Sequence, residues 1–300
     1  MSAVPVIAAV DGSEDSLRAL DWALEAARRR VAPLRVVHVR QYAAWGQADI
    51  LVAGPPDDSG DPVLDEVRDR LAALPDLPTV EYVAVEGVPG AVLPELGADA
   101  QLLVLGSRGR GGFASLLLGS NSVAAARDTP CPVVVVPRPG REVHAEPPAE
   151  PGPRVVVGLH VDSPDDGVLG FAFAEASLLG ARLQVVAAYP WPVQTWSAPG
   201  QLVPPPIDQV AVESETRVLA EGFLDPLRAQ YPGVDAAAEA LPGDAAGHLV
   251  ALSAGADLVV VGRHRRRLLA PTRMLGSVTQ AVLLHAASPV AVVPSAPVEE

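Results

Sequence analysis

Three strand-like runs occur twice in this chain, in the same order and about 150 residues apart, and this repetition limits what the chain can fold into. Pro5-Val6-Ile7-Ala8-Ala9-Val10 is matched by Arg154-Val155-Val156-Val157-Gly158-Leu159. Leu34-Arg35-Val36-Val37-His38-Val39 is matched by Leu183-Gln184-Val185-Val186-Ala187-Ala188, and Pro132 to Pro137 by Pro289 to Pro294. Between the copies runs a proline-rich, charged stretch, Arg138 to Pro153, with no hydrophobic period, as expected of a linker. The reading is two homologous domains, 1–140 and 153–300, joined by a linker at 141–152. A chain of 300 residues is long enough for two domains that each bury a core.

Within each half, short β-branched runs alternate with amphipathic helical patterns, which predicts α/β domains of parallel strands joined by crossover helices. In the first half the pattern predicts strands at 4–10, 34–40, 79–85, 101–105 and 132–136. Helices are predicted at 14–30, 61–74, 90–97 and 120–127. Cys131, the only cysteine, lies between two prolines just before the last strand and reads as a small buried filler. One cysteine permits no intrachain disulfide and no thiolate metal cluster within the chain.

The stretch with the most chemistry in it follows the fourth strand of the first half. Gly106 and Gly109 bracket Ser107-Arg108, and after nine residues Gly119-Ser120 opens a helix. Glycine permits a sharp turn and a close backbone approach, and the first N–H groups of a helix attract anions, so strand, glycine loop and helix start together make a phosphate cradle. Glycines after a strand are also ordinary turn residues, and the spacing as a whole is what points to a ligand. This is not a Walker A loop, which needs Gly-Lys-Ser or Gly-Lys-Thr, and the chain contains no lysine. The absence of lysine also excludes Schiff-base and pyridoxal chemistry anchored on that residue. Nor is it the dinucleotide fingerprint, because the first strand-to-helix turn reads Val10-Asp11-Gly12-Ser13.

Gly-X2-Gly-X9-Gly-Ser, set in this repeated framework, resembles the ATP-binding signature of the universal stress protein family, and the resemblance covers nearly the whole chain. It implies two doubly wound, Rossmann-like sheets in the strand order 3-2-1-4-5, with the ligand crevice at the switch between strands 1 and 4. It implies ATP as the ligand, with Asp11 contacting the nucleoside and the backbone of Val39 reading the adenine edge. Gly106 and Gly109 then let the loop close over sugar and phosphates, and Gly119, Ser120 and Asn121 donate to the phosphates. Arg108 and Arg110 are guanidinium forks suited to phosphate charge, and solvated loop arginines are the alternative reading. For Asp11-Gly12-Ser13-Glu14 the alternative is a plain capping turn, with Ser13 or Asp11 as the cap. For Val39 it is a core valine, and Gly87 reads as a turn.

The second half departs from the signature. His160 stands opposite Asp11, and the later loop reads Gly262-Arg263-His264-Arg265, then ten residues, then Gly276-Ser277. Arg265 lacks the compactness of Gly109 and His160 lacks a negative charge, so this nucleotide motif reads as degenerate. The basic cluster at 263–267 reads as a solvated loop or as a site for another anion.

No catalytic constellation stands out. The six histidines have no metal-ligand spacing, and no Gly-X-Ser-X-Gly elbow occurs. Three readings stay open: an ATP-binding stress or signalling protein that works by changing conformation, a slow Mg2+-dependent ATPase with Asp11 near the ion, and a nucleotide-free scaffold. A net charge of −14 argues against nucleic acid and anionic membrane as partners. No apolar run reaches 18 residues and the N-terminus lacks a basic leader, so a cytoplasmic location is expected. The apolar runs Val133 to Val136 and Val290 to Val293 are expected to be sheet edges, which tend to pair; the resemblance implies that they pair between the two domains as an internal pseudo-dimer, which a homodimer would double. The segments Gln41 to Gly60 and Pro190 to Pro206 are candidates for covering a face or binding a partner protein.

Overall fold

The computed structural model describes residues 3–41, 60–109, 118–141, 143, 151–189, 191, 208–263 and 274–295. The chain divides into two compact units, the first built on Met1–Gly140 and the second on Arg141–Arg265 and Gly276–Glu300.

In the first unit the described elements are β1 (Val6–Val10), α1 (Glu14–Arg30), β2 (Leu34–Arg40), α2 (Pro62–Ala72), β3 (Val80–Glu86), α3 (Pro89–Leu96), β4 (Leu102–Gly106), α4 (Ser120–Asp128) and β5 (Val133–Val136). All the pairings are parallel and the order is β3-β2-β1-β4-β5. This is the doubly wound arrangement, with crossovers running both ways from β1. β1, β4 and β5 are apolar almost throughout because helices cover both faces of the sheet.

Local chemistry sets the helix ends. Ser13 caps α1 by accepting from the Ser16 N–H at 3.2 Å, with Glu14 and Asp15 in the first turn and Arg28, Arg29 and Arg30 in the last, in the sense the helix dipole favours. Asp61 caps α2 by accepting from the N–H groups of Val63 and Leu64, and Pro62 occupies the first helical position. Val63, Leu64, Val67 and Leu71 form the buried stripe of α2.

The second unit repeats the plan with β6 (Arg154–Leu159), α5 (Asp166–Leu179), β7 (Arg182–Tyr189), α6 (Gln209–Gln230), β8 (Ala236–Pro242), α7 (Ala245–Ser253), β9 (Leu258–Arg263), α8 (Ser277–His285) and β10 (Val290–Pro294). Its parallel order is β8-β7-β6-β9-β10, the same topology.

The sequence-based elements of the first unit all appear, with shifted ends. β1 starts at Val6 rather than 4 because Val4 is half exposed and the first ladder bond is Val6 N–H to Pro33 O. α2 stops at Ala72, ahead of Pro75. A short 3-10 turn, Gly97–Asp99, lies between α3 and β4. Cys131 is buried, as its neighbours suggested. Among the described residues no helix is long and apolar enough to cross a membrane.

Candidate functional site

Strand register brings the predicted site residues of the first unit together at the C-terminal edge of the sheet. The last β1–β2 pair is Val10–His38, so Asp11 and Val39, one step further, stand level with each other. Ala8 pairs with Val104 in β4, and three steps on Asp11 is level with Ser107. Val39, Asp11 and Ser107 therefore form a row across β2, β1 and β4, at the switch point where open α/β sheets bind ligands.

Asp11 is held by the turn that starts α1. Its Oδ1 accepts from the Ser13 N–H at 3.0 Å and from the Ser13 hydroxyl at 2.6 Å. Its own N–H donates to Ser16 Oγ at 3.3 Å, and Ser16 Oγ donates to Ser13 O at 2.8 Å. The capping turn is therefore real, with Ser13 as the cap, and it orients Asp11 rather than competing with it.

The two glycines of the loop have different reasons to be glycine. A methyl group at Gly109 would overlap Asp11 Oδ2, so the loop backbone crosses directly over that carboxylate. At Gly106 a methyl would lie 2.6 Å from the Asp15 carbonyl oxygen, inside α1. Gly106 is thus a packing glycine that lets β4 approach α1, and Gly109 is the one that faces the crevice.

Gly119 caps α4 with extended backbone (φ −78°, ψ 150°) and no side-chain hydrogen bond. Its own N–H is taken by Ser107 O at 2.8 Å, which ties the helix start to the end of β4. Ser122 adds a second tie, its hydroxyl donating to Gly106 O at 2.9 Å. Ser120 and Asn121 are exposed at the head of the helix, where uncapped N–H groups and the dipole favour an anion. Arg108 is half-buried, while Ser107 is 1% exposed with no hydrogen-bond partner for its hydroxyl among the described residues. Val39 is buried at the end of β2.

Some expected positions do not join this cluster. Gly87 has φ +145° and its N–H bonds to Arg40 O at 3.1 Å, which makes it a turn after β3. Arg110, His264, the arginines at 265–267 and nearly all of 41–60 and 190–206 lie outside the described residues. In the second unit Gly276 caps α8, again without a side-chain bond, and Thr279 repeats the tie of Ser122 by donating to Gly262 O at 2.7 Å. His160 is exposed.

One pair was not singled out in advance. His38 Nδ1 lies 2.7 Å and 2.9 Å from the two carboxylate oxygens of Asp61, the cap of α2. Burial alone would push the Asp61 carboxyl up, but the His38 hydrogen bond and charge and the N–H groups of Leu64 and Val63 outweigh it and hold the carboxyl below its usual value. The only signal in the sequence was Asp61-Pro62, which reads as a helix start and gives no hint of a histidine partner 23 residues away.

Comparison with known proteins agrees with the repeated architecture. The pattern of the universal stress protein family matches residues 5–137 and again 153–294. Universal stress protein Rv2005c of Mycobacterium tuberculosis is 33% identical over 302 residues, covering 96% of each chain. Universal stress protein Rv2623 of the same organism is 30% identical over 308 residues, covering 97% of this chain and 96% of its own. Among solved structures, a universal stress protein from Archaeoglobus fulgidus superposes with a TM-score of 0.61 at 18% identity, covering 98% of this chain and 99% of the other.

Proposed function

This chain belongs to the universal stress protein family, and from that premise we propose that its first unit binds ATP and acts through a nucleotide-dependent conformation rather than through turnover. The observation that carries the reading is the passage of the Gly109 backbone over the Asp11 carboxylate, opposite a helix start that no side chain caps. This geometry supports nucleoside and phosphate recognition within one crevice.

In this reading Asp11 and the backbone of Val39 hold the nucleoside. The loop that Gly106 opens closes over the sugar and phosphates at Arg108 and Gly109, and the N–H groups of Ser120 and Asn121 face the phosphates, while Gly119, whose own N–H is held by Ser107 O, sets the start of α4. Mg2+ would arrive with the triphosphate, since among the described residues no group of three His, Cys, Asp or Glu side chains forms a cage for it. The second unit serves as a structural or regulatory domain. A conformational role requires that nucleotide bind two states of the first unit with different affinities, because equal affinity shifts nothing.

The test is to purify the chain without added nucleotide, denature it and identify what is released by mass spectrometry, counting moles per chain. One ATP per chain is expected. Two would refute the asymmetry between the units, and ADP accumulating with time would replace conformational signalling by hydrolysis. No released nucleotide, followed by no ATP binding in titration, would leave the scaffold reading in its place.

A further inference from the structure

The first turn of α1 carries a charge that the nucleotide reading does not use. Asp15 is 2% exposed, although it sits in the first turn of a helix that starts at the crevice edge. Arg138, two residues past β5 and 123 positions away in sequence, places its Nε 2.9 Å from both carboxylate oxygens of Asp15. Arg18, one turn along α1, completes the set with a further ion pair. A carboxylate buried this far must be paired, and the pairing ties the head of α1 to the end of β5.

That head of α1 is also what positions the crevice. The backbone of Asp15 is the surface against which Gly106 packs, so it sets where β4 ends and the loop to Gly109 begins. Ser13 and Ser16, on either side of Asp15, hold Asp11 through its carboxylate and its N–H. A shift of this turn would change the distance between Asp11 and Gly109.

The internal repeat provides a control. Aligned by their left-handed ends, Val31 and Gly180, and by their buried stripes, α1 and α5 put Pro164 at the place of Asp15 and Gly167 at that of Arg18. Gly106 pairs with Val136, and Gly262 with Val293, which puts Ser295 at the place of Arg138. All three charged residues are missing from the unit whose glycine signature is broken. Ser295 instead donates to Arg263 O at 3.0 Å, and Gly167 N–H bonds to the cap Asp165. The ion-pair set and the intact glycine loop occur together in one unit and are lost together in the other.

We propose that Asp15 and Arg138 are positioning residues of the nucleotide crevice, an ion pair behind the site that holds the head of α1, and with it Asp11 and Gly106, in the binding geometry. The proposal rests on the nucleotide reading for its consequence but not for its mechanics, and two measurements on the full-length chain separate the two.

The first is ATP affinity by calorimetry at 15 °C, with circular dichroism showing the chain folded, for wild type, Arg138→Met, Arg138→Lys and Asp15→Asn. Arg138→Met should weaken ATP at least tenfold, and Arg138→Lys should recover most of the loss, because it restores the charge without the fork. A merely structural pair would lower the melting temperature and leave the affinity of the folded protein within twofold, which would overturn the proposal. The second is amide hydrogen exchange without nucleotide. Exchange at Ser16 and Gly119 should quicken in Arg138→Met while the amides of β1 stay as in wild type. Unchanged exchange at Ser16 and Gly119 would overturn the proposal even if Arg138→Met proved hard to purify, since Asp15→Asn serves the same comparison. If wild type binds no ATP but the exchange pattern appears as expected, the positioning of the turn stands and the nucleotide reading is what fails.

Discussion

At the scale of single residues, the crevice depends on one missing side chain. Gly109→Ala introduces a methyl where Asp11 Oδ2 already lies, so either the carboxylate or the loop must move. Gly109 is exposed and its replacement creates no core cavity. ATP affinity should therefore fall at least tenfold in titration calorimetry, while the melting temperature changes by no more than a degree or two, about 0.5 kcal/mol for a surface change in a unit of this size. An unchanged affinity would remove Gly109 and Asp11 from the site. A second residue-scale expectation concerns Asp61. Its carboxyl is held below its usual value in the folded state, so the unfolded chain binds the proton more readily. The stability this contributes is present at pH above the unfolded aspartate value and is lost as pH falls through the lower folded value. Asp61→Asn keeps an adequate helix cap but loses the carboxylate that His38 Nδ1 bonds to, and it should cost about 1–2 kcal/mol at pH 7. Urea melts between pH 7 and pH 3 should then show a flatter acid limb for the variant than for wild type.

At the scale of elements, the repeat lets one unit predict the other. α1 ends on Val31 with φ +50°, in the left-handed region and 89% exposed, whereas α5 ends on Gly180 with φ +58° in the same role. Both close with the same backbone bonds, Ala32 N–H to Ala27 O and Ala181 N–H to Ala176 O. A β-branched residue pays a steric penalty in that conformation of about 1–2 kcal/mol that glycine avoids. Val31→Gly should raise the stability of the first unit by about 1 kcal/mol, or about 2–4 °C in thermal unfolding, and Gly180→Val should lower the second by a similar amount. This cap also marks where sequence reading stops. Strands and helices were legible because β-branched runs and apolar stripes are local signals, and Gly-X2-Gly-X9-Gly-Ser was legible because its members lie within one loop and one helix start. The conformation of Val31 was not legible, since valine is a poor candidate for a left-handed cap. Nor were Asp15–Arg138 and His38–Asp61, whose partners meet only after the sheet has brought distant segments together. The two roles of Gly106 and Gly109, alike in sequence, separated only when their neighbours were known.

At the scale of the whole chain, the two units share a topology and differ in the crevice, so a ligand should report on that difference. A ligand that binds only the folded form of the first unit stabilises it by an amount set by concentration over Kd, about 2.7 kcal/mol at 100 times Kd. Amides that exchange only when that unit opens should then slow by up to about 100-fold, while those of the other unit keep their rates. Hydrogen exchange of the full chain with and without saturating ATP should accordingly show protection in peptides covering β1 with the head of α1, and β4 with the head of α4. Peptides covering β6, β9 and α8 should be unaffected, because the second unit has His160 in place of Asp11, Pro164 in place of Asp15 and Gly167 in place of Arg18. The same comparison on Gly109→Ala should erase the protection in the first unit and leave the second as it was. Equal protection of α8 would mean that Gly276 and the helix it caps suffice to hold a nucleotide, and that neither Asp11, Gly109 nor the ion pair behind them sets the specificity assigned to the first unit.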